Sequence, residues 1–248
     1  MRFQFYHSTA VVLSAPMFDP ESLPVASIAG EAAIDVERLT PDALRRRFAA
    51  ASSWQAEFAG RAVGDDELPI SETLFDIPTP SKPVLASVLL PIVLHDVGPT
   101  LLFTRRTIHL TKHPGQVSFP GGRAEDFDSS AIDTALRETE EEIGLDRRHV
   151  EVLGQLPDYV TATGYRVTPV VALVHLPFEL CADPGEVAEV FEVPLTFLMN
   201  GLNHQRRVFE QSTGQGAARM FYAMQYEQFF IWGATAGMLR NLFHFLRA

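Results

Sequence analysis

The sequence has little cysteine and little positive charge. Its 248 residues include one cysteine, Cys181, so no disulfide can form within the chain, and a lone thiol is typical of a protein of the reducing cytosol. Twenty Lys and Arg stand against 31 Asp and Glu, which gives a formal net charge of -11. Because phosphate backbones and anionic lipids repel such a chain, the composition argues against a nucleic-acid or membrane partner.

Long hydrophobic runs are also missing. No stretch approaches the roughly 18 apolar residues that a membrane-spanning helix needs. The N-terminus offers only Arg2 and a short apolar run from Ala10 to Leu13, which makes a poor signal peptide. We therefore expect a soluble, cytoplasmic protein, and homodimer formation stays open.

Length and composition predict one large core with a smaller appendage. We expect an N-terminal extension over residues 1–80 and a catalytic domain over residues 81–248. In the extension, Thr40 and Pro41 predict the start of a helix, and a proline-punctuated stretch at 67–83 predicts an extended linker.

Three consecutive arginines, Arg45 to Arg47, follow in this predicted helix. They fit either a phosphate site or a solvated helix face. Because Asp42 and Glu57 are near in sequence, the solvated face is favoured.

The rest of the chain alternates strand-like and helical segments. Runs at 84–96 and 100–109 predict a hairpin, and further strands are predicted at 150–159, at 165–176 and within 206–232. The tail from Ala234 has a helical apolar stripe that is typical of a core or dimer contact. Mixed strands with few, separated helices indicate an α/β or α+β sandwich.

The most informative segment is "FPGGRAEDFDSSAIDTALRETEEEIGL", residues 119–145. A helix is predicted from about Ser130 to Ile143, ended by glycine. On it, three glutamates at spacing i, i+3 and i+4 share one face over a single turn: Glu138, Glu141 and Glu142. Each like-charged pair costs a helix about 0.2–0.5 kcal/mol, and a bound cation would reverse that cost. Carboxylates at this spacing suit a hard ion such as Mg²⁺.

An ordinary solvated helix face, with Arg137 paired to Glu141, explains the same spacing. The context favours the metal site. Gly121 and Gly122 lie just upstream, where a bare backbone can approach a ligand or present a carbonyl, and Arg137 adjoins the glutamates.

The segment from Gly122 to Leu145 resembles the box of the Nudix hydrolases, which cleave nucleoside diphosphates linked to another moiety. The residues that carry the resemblance are Gly122, Arg137, Glu138, Glu141, Glu142, Gly144 and Leu145. The resemblance implies an α/β/α sandwich with a mixed sheet, in which Glu138, Glu141, Glu142 and the carbonyl of Gly122 hold Mg²⁺ or Mn²⁺. The box departs from the usual pattern by one extra residue before Arg137, by Asp128 in place of a glutamate and by Thr139 in place of an aliphatic residue.

Residues 102–122 are similar to the signature of the coenzyme A pyrophosphatase branch, through Thr104, Arg106, Gly115 and the sequence FPGG at 119–122. A second arginine of that signature is replaced by Thr111, next to Lys112, and lysine does not reproduce the bidentate fork of arginine. Overall, the resemblance covers roughly residues 80–246.

The resemblance implies attack by a metal-activated water on one phosphorus of a diphosphate. For coenzyme A the products would be 3′,5′-ADP and phosphopantetheine. Glu141 is the first candidate for the general base and Glu189 the second, with Arg137 as a further catalytic candidate. Glu186 and Glu189 fit either a site contributed from outside the box or a solvent-exposed acidic pair. We expect substrate contacts from Arg106, Lys112, His113 and Gln116.

Other constellations are weaker. His109 and His113 have the spacing of a zinc pair, but no helix is predicted there and no cysteine accompanies them. Tyr159 and Trp232 fit either adenine stacking or the core.

Two alternative functions stay open. The chain could hydrolyse another dinucleotide, such as ADP-ribose or NADH, or it could be a non-catalytic nucleotide-binding module.

Overall fold

A computed structural model describes residues 19–50, 54, 56–57, 83–109, 114–161, 163–209 and 219–248. Its elements in chain order are β1 (Val25–Ile28), α1 (Pro41–Ala49), β2 (Val84–His95), β3 (Gly98–Arg106), β4 (Val117–Ser118), β5 (Gly121–Arg123), α2 (Ala131–Ile143), β6 (Val150–Gln155), β7 (Tyr159–Val160), β8 (Tyr165–Val174), β9 (Val187–Pro194), α3 (Leu195–Leu198), β10 (Gln205–Phe209), β11 (Arg219–Tyr226), β12 (Phe229–Trp232) and α4 (Gly233–Arg247).

The larger sheet is mixed. Its strands follow the order β4-β3-β2-β8-β6, and three more strands attach to it: β5 on β2, β7 on β8 and β9 on β3. β2 and β3 form the predicted antiparallel hairpin, whereas β2 and β8 run parallel over ten residue pairs. A parallel pair needs a long crossover connection, and the segment that contains α2 supplies it.

Alternation along β2 separates two hydrophobic layers. Leu89 and Val93 pack in one cluster with residues of α2, and Leu90 and Ile92 pack in another with residues of α1 and α4. Successive side chains of a strand point to opposite faces, so α2 covers one face of the sheet and α1 and α4 cover the other. The chain therefore has the predicted α/β class, with a mixed sheet between helical layers.

A second, four-stranded antiparallel sheet has the order β1-β10-β11-β12. β1 lies before residue 80 and pairs with β10, which lies after residue 200. Leu44 of α1 is buried in the main core. The described part of the N-terminal region thus packs on the rest of the chain, while the boundary near residue 80 and most of the predicted linker lie outside the described residues.

Helix boundaries follow the sequence signals closely. The side chain of Thr40 caps α1 by accepting from the N–H of Ala43, and α4 buries the predicted apolar stripe in the core.

Among the described residues, no helix has both the length and the apolar character needed to cross a membrane.

A buried ionic network fastens the N-terminal region to α4. The side chain of Arg240 is 1% exposed, and its guanidinium donates to the carboxylates of Glu31 and Glu57 at 2.7 and 2.8 Å. It also donates to Nδ1 of His204 at 3.0 Å and lies 2.8 Å from Nε2 of His244. Since residue pairs about 200 positions apart meet here, this network helps to fix the long-range packing.

Candidate active site

α2 is held at both ends. The side chain of Ser130 accepts from the N–H of Asp133 at 3.1 Å, and Gly144 has φ 70°, a left-handed conformation that glycine adopts without strain. Ala135 and Ile143 are buried against the sheet. This anchoring fixes the face of α2 that carries the three glutamates.

Asp128 binds Arg137 through a two-pronged ion pair. Its Oδ1 and Oδ2 accept from Nε and Nη2 of Arg137, each at 2.8 Å, and the aspartate side chain is 3% exposed. Thr134 and the backbone N–H of Glu125 also donate to Asp128. The Arg137 hydrogen bonds are the main reason why the pKa of Asp128 is held well below its usual range.

The same arginine orients two box glutamates. Its Nη1 donates to Oε1 of Glu138 and to Oε2 of Glu141, both at 2.9 Å. The pairing of Arg137 with Glu141 expected for an ordinary helix face is thus present, but it belongs to a network anchored by Asp128. Glu140 does not join this network and pairs with Arg147.

Glu142 is the most buried of the three box glutamates, with its side chain 7% exposed. Its Oε2 accepts from the N–H of Gly121 at 3.1 Å, and Nη1 of Arg106 is 3.9 Å from its Oε1. Burial raises the pKa of Glu142 to about 7, against the opposing effects of that N–H and of Arg106. Beside it, a Cβ on Gly122 would overlap the carboxylate of Glu138, so glycine permits their close approach.

Glu186 adds negative charge to the site from just before β9. Burial raises the pKa of Glu138, and the charges of Glu141 and Glu186 raise it further; Glu186 and Glu138 act in the same direction on Glu142. Glu138 and Glu142 therefore each experience repulsion from two neighbouring carboxylates.

The donors of this region are the carboxylate oxygens that hard dications prefer, and such an ion would relieve their repulsion. The residues present therefore fit a divalent metal in chemical type. In the structure, Nη1 of Arg137 lies between the carboxylates of Glu138 and Glu141. Within the described ranges, no three His, Cys, Asp or Glu side chains are close enough together to hold an ion.

Glu189 does not join these carboxylates. Its Oε2 lies 2.7 Å from Nη2 of Arg105, and this pair sits near Phe229, a residue of the core under α1 and α4. A bulge between β3 and β9 follows Val187, so that Val187 and Val190 both pack on the α2 side. Strict alternation from Val187 would have placed Glu189 on the α2 side, and the bulge turns it to the other face. This placement favours Glu141 over Glu189 as the general base.

The predicted substrate residues fall into two groups. Arg106 shares the α2 side with Glu142, and the carbonyl of Gln116 accepts from the Arg106 N–H at 3.0 Å. Lys112 and His113 lie outside the described residues, as does Thr111.

Two aromatic candidates for adenine stacking lie in the protein's packed layers. Tyr159 is buried in the main core. Trp232 packs edge-on against Phe221, with ring centroids 5.6 Å apart. Both placements agree with the alternative that these aromatic side chains belong to the packed core rather than to an adenine site.

The NUDIX domain family model matches residues 85–208. The chain is 45% identical over 158 residues to the "Uncharacterized Nudix hydrolase NudL" of Escherichia coli strain K12, covering 63% of this chain and 80% of that protein. The NudL protein of E. coli O7:K1 strain IAI39 is 44% identical over the same shares. A crystal structure of a C. elegans Ap4A hydrolase binary complex aligns with a TM-score of 0.39 and 16% identity, over 45% of this chain and 80% of that one.

Proposed function

The chain belongs to the Nudix hydrolase family, whose enzymes act on phosphoanhydride bonds, and from this premise we propose that it hydrolyses the diphosphate of coenzyme A or its derivatives. The observation that supports catalysis most strongly is the group of carboxylates on α2. Glu138, Glu141 and Glu142 share one turn, and Arg137 and Gly121 hold them in defined positions.

Glu138, Glu141, Glu142 and the carbonyl of Gly122 would hold Mg²⁺ or Mn²⁺. The bound dication would neutralise charge on the diphosphate oxygens and lower the pKa of water. We assign Glu186 to the same region, because its charge acts on both Glu138 and Glu142.

Glu141 is the proposed general base. Its side chain is 60% exposed, the most open of the ion-paired box glutamates, so a water molecule can reach it. Arg137 binds only its Oε2, which leaves Oε1 to accept a proton from the attacking water. Arg137 acts by positioning this carboxylate and that of Glu138.

Substrate binding is assigned to Arg106, Lys112, His113 and Gln116. Arg106 is well placed, because its guanidinium lies on the α2 side next to Glu142. The similarity of residues 102–122 to the coenzyme A pyrophosphatase signature supports coenzyme A, with 3′,5′-ADP and phosphopantetheine as products.

A second candidate function is hydrolysis of ADP-ribose or NADH. Thr111, which replaces an arginine of the signature, favours this alternative. Absence of any hydrolysis, together with tight nucleotide binding, would instead indicate a non-catalytic module.

A substrate panel distinguishes these functions. Coenzyme A, an acyl-coenzyme A, ADP-ribose and NADH are each incubated with the enzyme and Mg²⁺ or Mn²⁺, and products are identified by chromatography. We expect the highest kcat/KM for a coenzyme A species; a far higher value for ADP-ribose overturns that assignment.

Three matched variants accompany the panel: Glu142→Gln, Glu186→Gln and Glu189→Gln. We expect the first to lose most activity, the second to lose less, and the third to retain activity within about threefold. Full activity of Glu142→Gln would refute the proposed site for every substrate.

A further inference from the structure

A pocket of about 240 Å³ lies between α1 and the end of α4, lined by Arg38, Ala43, Arg46, Arg47 and Leu246. All of its charged lining residues are arginines, in a chain whose net charge is -11. α1 and α4 cover the face of the sheet opposite α2, so this pocket is separate from the box glutamates.

Two of the arginines are fixed by backbone contacts. Nε of Arg47 donates to the carbonyl of Phe245 at 2.7 Å, and Nη1 of Arg38 donates to the carbonyl of Arg247 at 3.0 Å. The Arg47 guanidinium also lies over the Phe245 ring, 4.2 Å from its centroid. The sequence favoured a solvated face for this arginine run, but Arg47 instead turns toward α4.

Within the described residues, the acid of α1 pairs with an arginine that does not line the pocket. Asp42 pairs with Arg45, which is also bound to Glu151 on β6. Within the described ranges, Arg38 and Arg46 form no ion pair with an acid. Burial and repulsion from Arg38 lower the pKa of Arg47, as expected where positive charges accumulate.

We propose that Arg38, Arg46 and Arg47 form a binding site for a small phosphate-bearing anion. Guanidinium forks match phosphate oxygens in geometry as well as charge. The pocket is smaller than the roughly 300–1,000 Å³ typical for drug-sized ligands, so its ligand is inorganic phosphate, diphosphate or a small phosphorylated metabolite. This inference does not depend on the reaction at α2.

The contacts of Arg38 and Arg47 also satisfy the last carbonyls of α4, which is a purely structural role. A change at Arg46 can distinguish anion binding from this structural role, because the Arg46 side chain has no hydrogen bond or ion pair within the described part of the chain. Replacing it leaves the α4 contacts intact.

The test is isothermal titration of the full-length protein with inorganic phosphate and with diphosphate, in metal-free buffer. Wild type, Arg46→Gln and Arg46→Lys are compared with Arg148→Gln, which removes the same charge from an exposed arginine elsewhere. We expect binding by wild type and Arg148→Gln, and an affinity at least about tenfold lower for Arg46→Gln. The lysine variant should also bind more weakly, since it keeps the charge but loses the fork.

Three results would overturn the proposal: no binding by wild type, unchanged binding by Arg46→Gln, or equal weakening by Arg46→Gln and Arg148→Gln. Tm measured for each variant verifies folding. Hydrolysis of the best substrate by Arg46→Gln should equal that of wild type.

Discussion

Asp128 holds Arg137 by two parallel hydrogen bonds of 2.8 Å, and Arg137 in turn holds Glu138 and Glu141. The aspartate occupies the box position where a glutamate is usual. Its shorter side chain still reaches the arginine, so the extra residue of the loop is compatible with a closed ion pair.

Replacing Asp128 by Asn is expected to reduce kcat/KM by about 10- to 100-fold, a range typical of residues that orient metal ligands. An amide keeps one acceptor but turns an N–H₂ group toward the guanidinium, so Arg137 loses its fixed position. Steady-state hydrolysis of the best substrate measures the effect. Asp126→Asn, at an exposed position two residues earlier, should have nearly full activity; equal losses would show that the ion pair has no special role.

The adjacent glycines are expected to respond differently to alanine. At Gly122 the new Cβ would overlap the Glu138 carboxylate, so we expect a loss of about 100-fold in activity with little change in Tm. At Gly121 the Cβ would overlap the backbone carbonyl of Ser87, and φ is 147°, so Tm itself should fall. Activity assays and thermal unfolding of both variants test this difference between the two glycines. Full activity of Gly122→Ala would contradict the prediction.

Arg240→Met tests the buried network. Removing the cation leaves Glu31 and Glu57 without their shared partner, and breaking a buried ion pair costs about 3–5 kcal/mol. Urea unfolding should show a drop of that order in the free energy of unfolding. Arg148→Met, on the surface, should change it by less than about 0.5 kcal/mol.

Stability should fall as pH is lowered from about 6.5 to 4. Burial lowers the pKa of His204 to about 4, and the Arg240 guanidinium that faces Nδ1 lowers it further, against the opposing effect of the hydrogen bond that Nε2 donates to the Leu198 carbonyl. The unfolded chain, with a pKa near 6.5, binds the proton more readily, so acid favours unfolding by up to roughly 3 kcal/mol.

Below that range the carboxylates of the network contribute too. Burial raises the pKa of both Glu31 and Glu57. Hydrogen bonding and charge from Arg240 outweigh burial at Glu31, and those from His244 and Arg240 outweigh it at Glu57. The pKa of each glutamate therefore falls to about 2. Their contribution is present above about pH 4.5 and is lost toward pH 2. Urea unfolding from pH 7 to 4 tests the histidine step. His204→Gln should flatten this part of the curve, and an unchanged curve would contradict the assignment.

Local signals in the sequence predicted local structure well. Thr40, Ser130 and Gly144 fix helix ends through their own conformations and neighbouring N–H groups, so α1 and α2 were predictable. The common face of Glu138, Glu141 and Glu142 followed from helical spacing alone.

Features that depend on distant residues were not predictable. The bulge beside Val187 arises from the pairing of β9 with β3, and it decides that Glu189 faces away from α2. Likewise, β1 pairs with β10 across about 180 residues, and Arg240 meets Glu31 across 209. No spacing rule within a segment carries such information.

The most direct test of the central claim is anomalous diffraction from crystals of the protein soaked in Mn²⁺. We predict a manganese peak within bonding distance of carboxylate oxygens of Glu138, Glu141 and Glu142, and its loss in Glu142→Gln crystals. An ion-free α2 in crystals that still hydrolyse a diphosphate substrate would contradict the account.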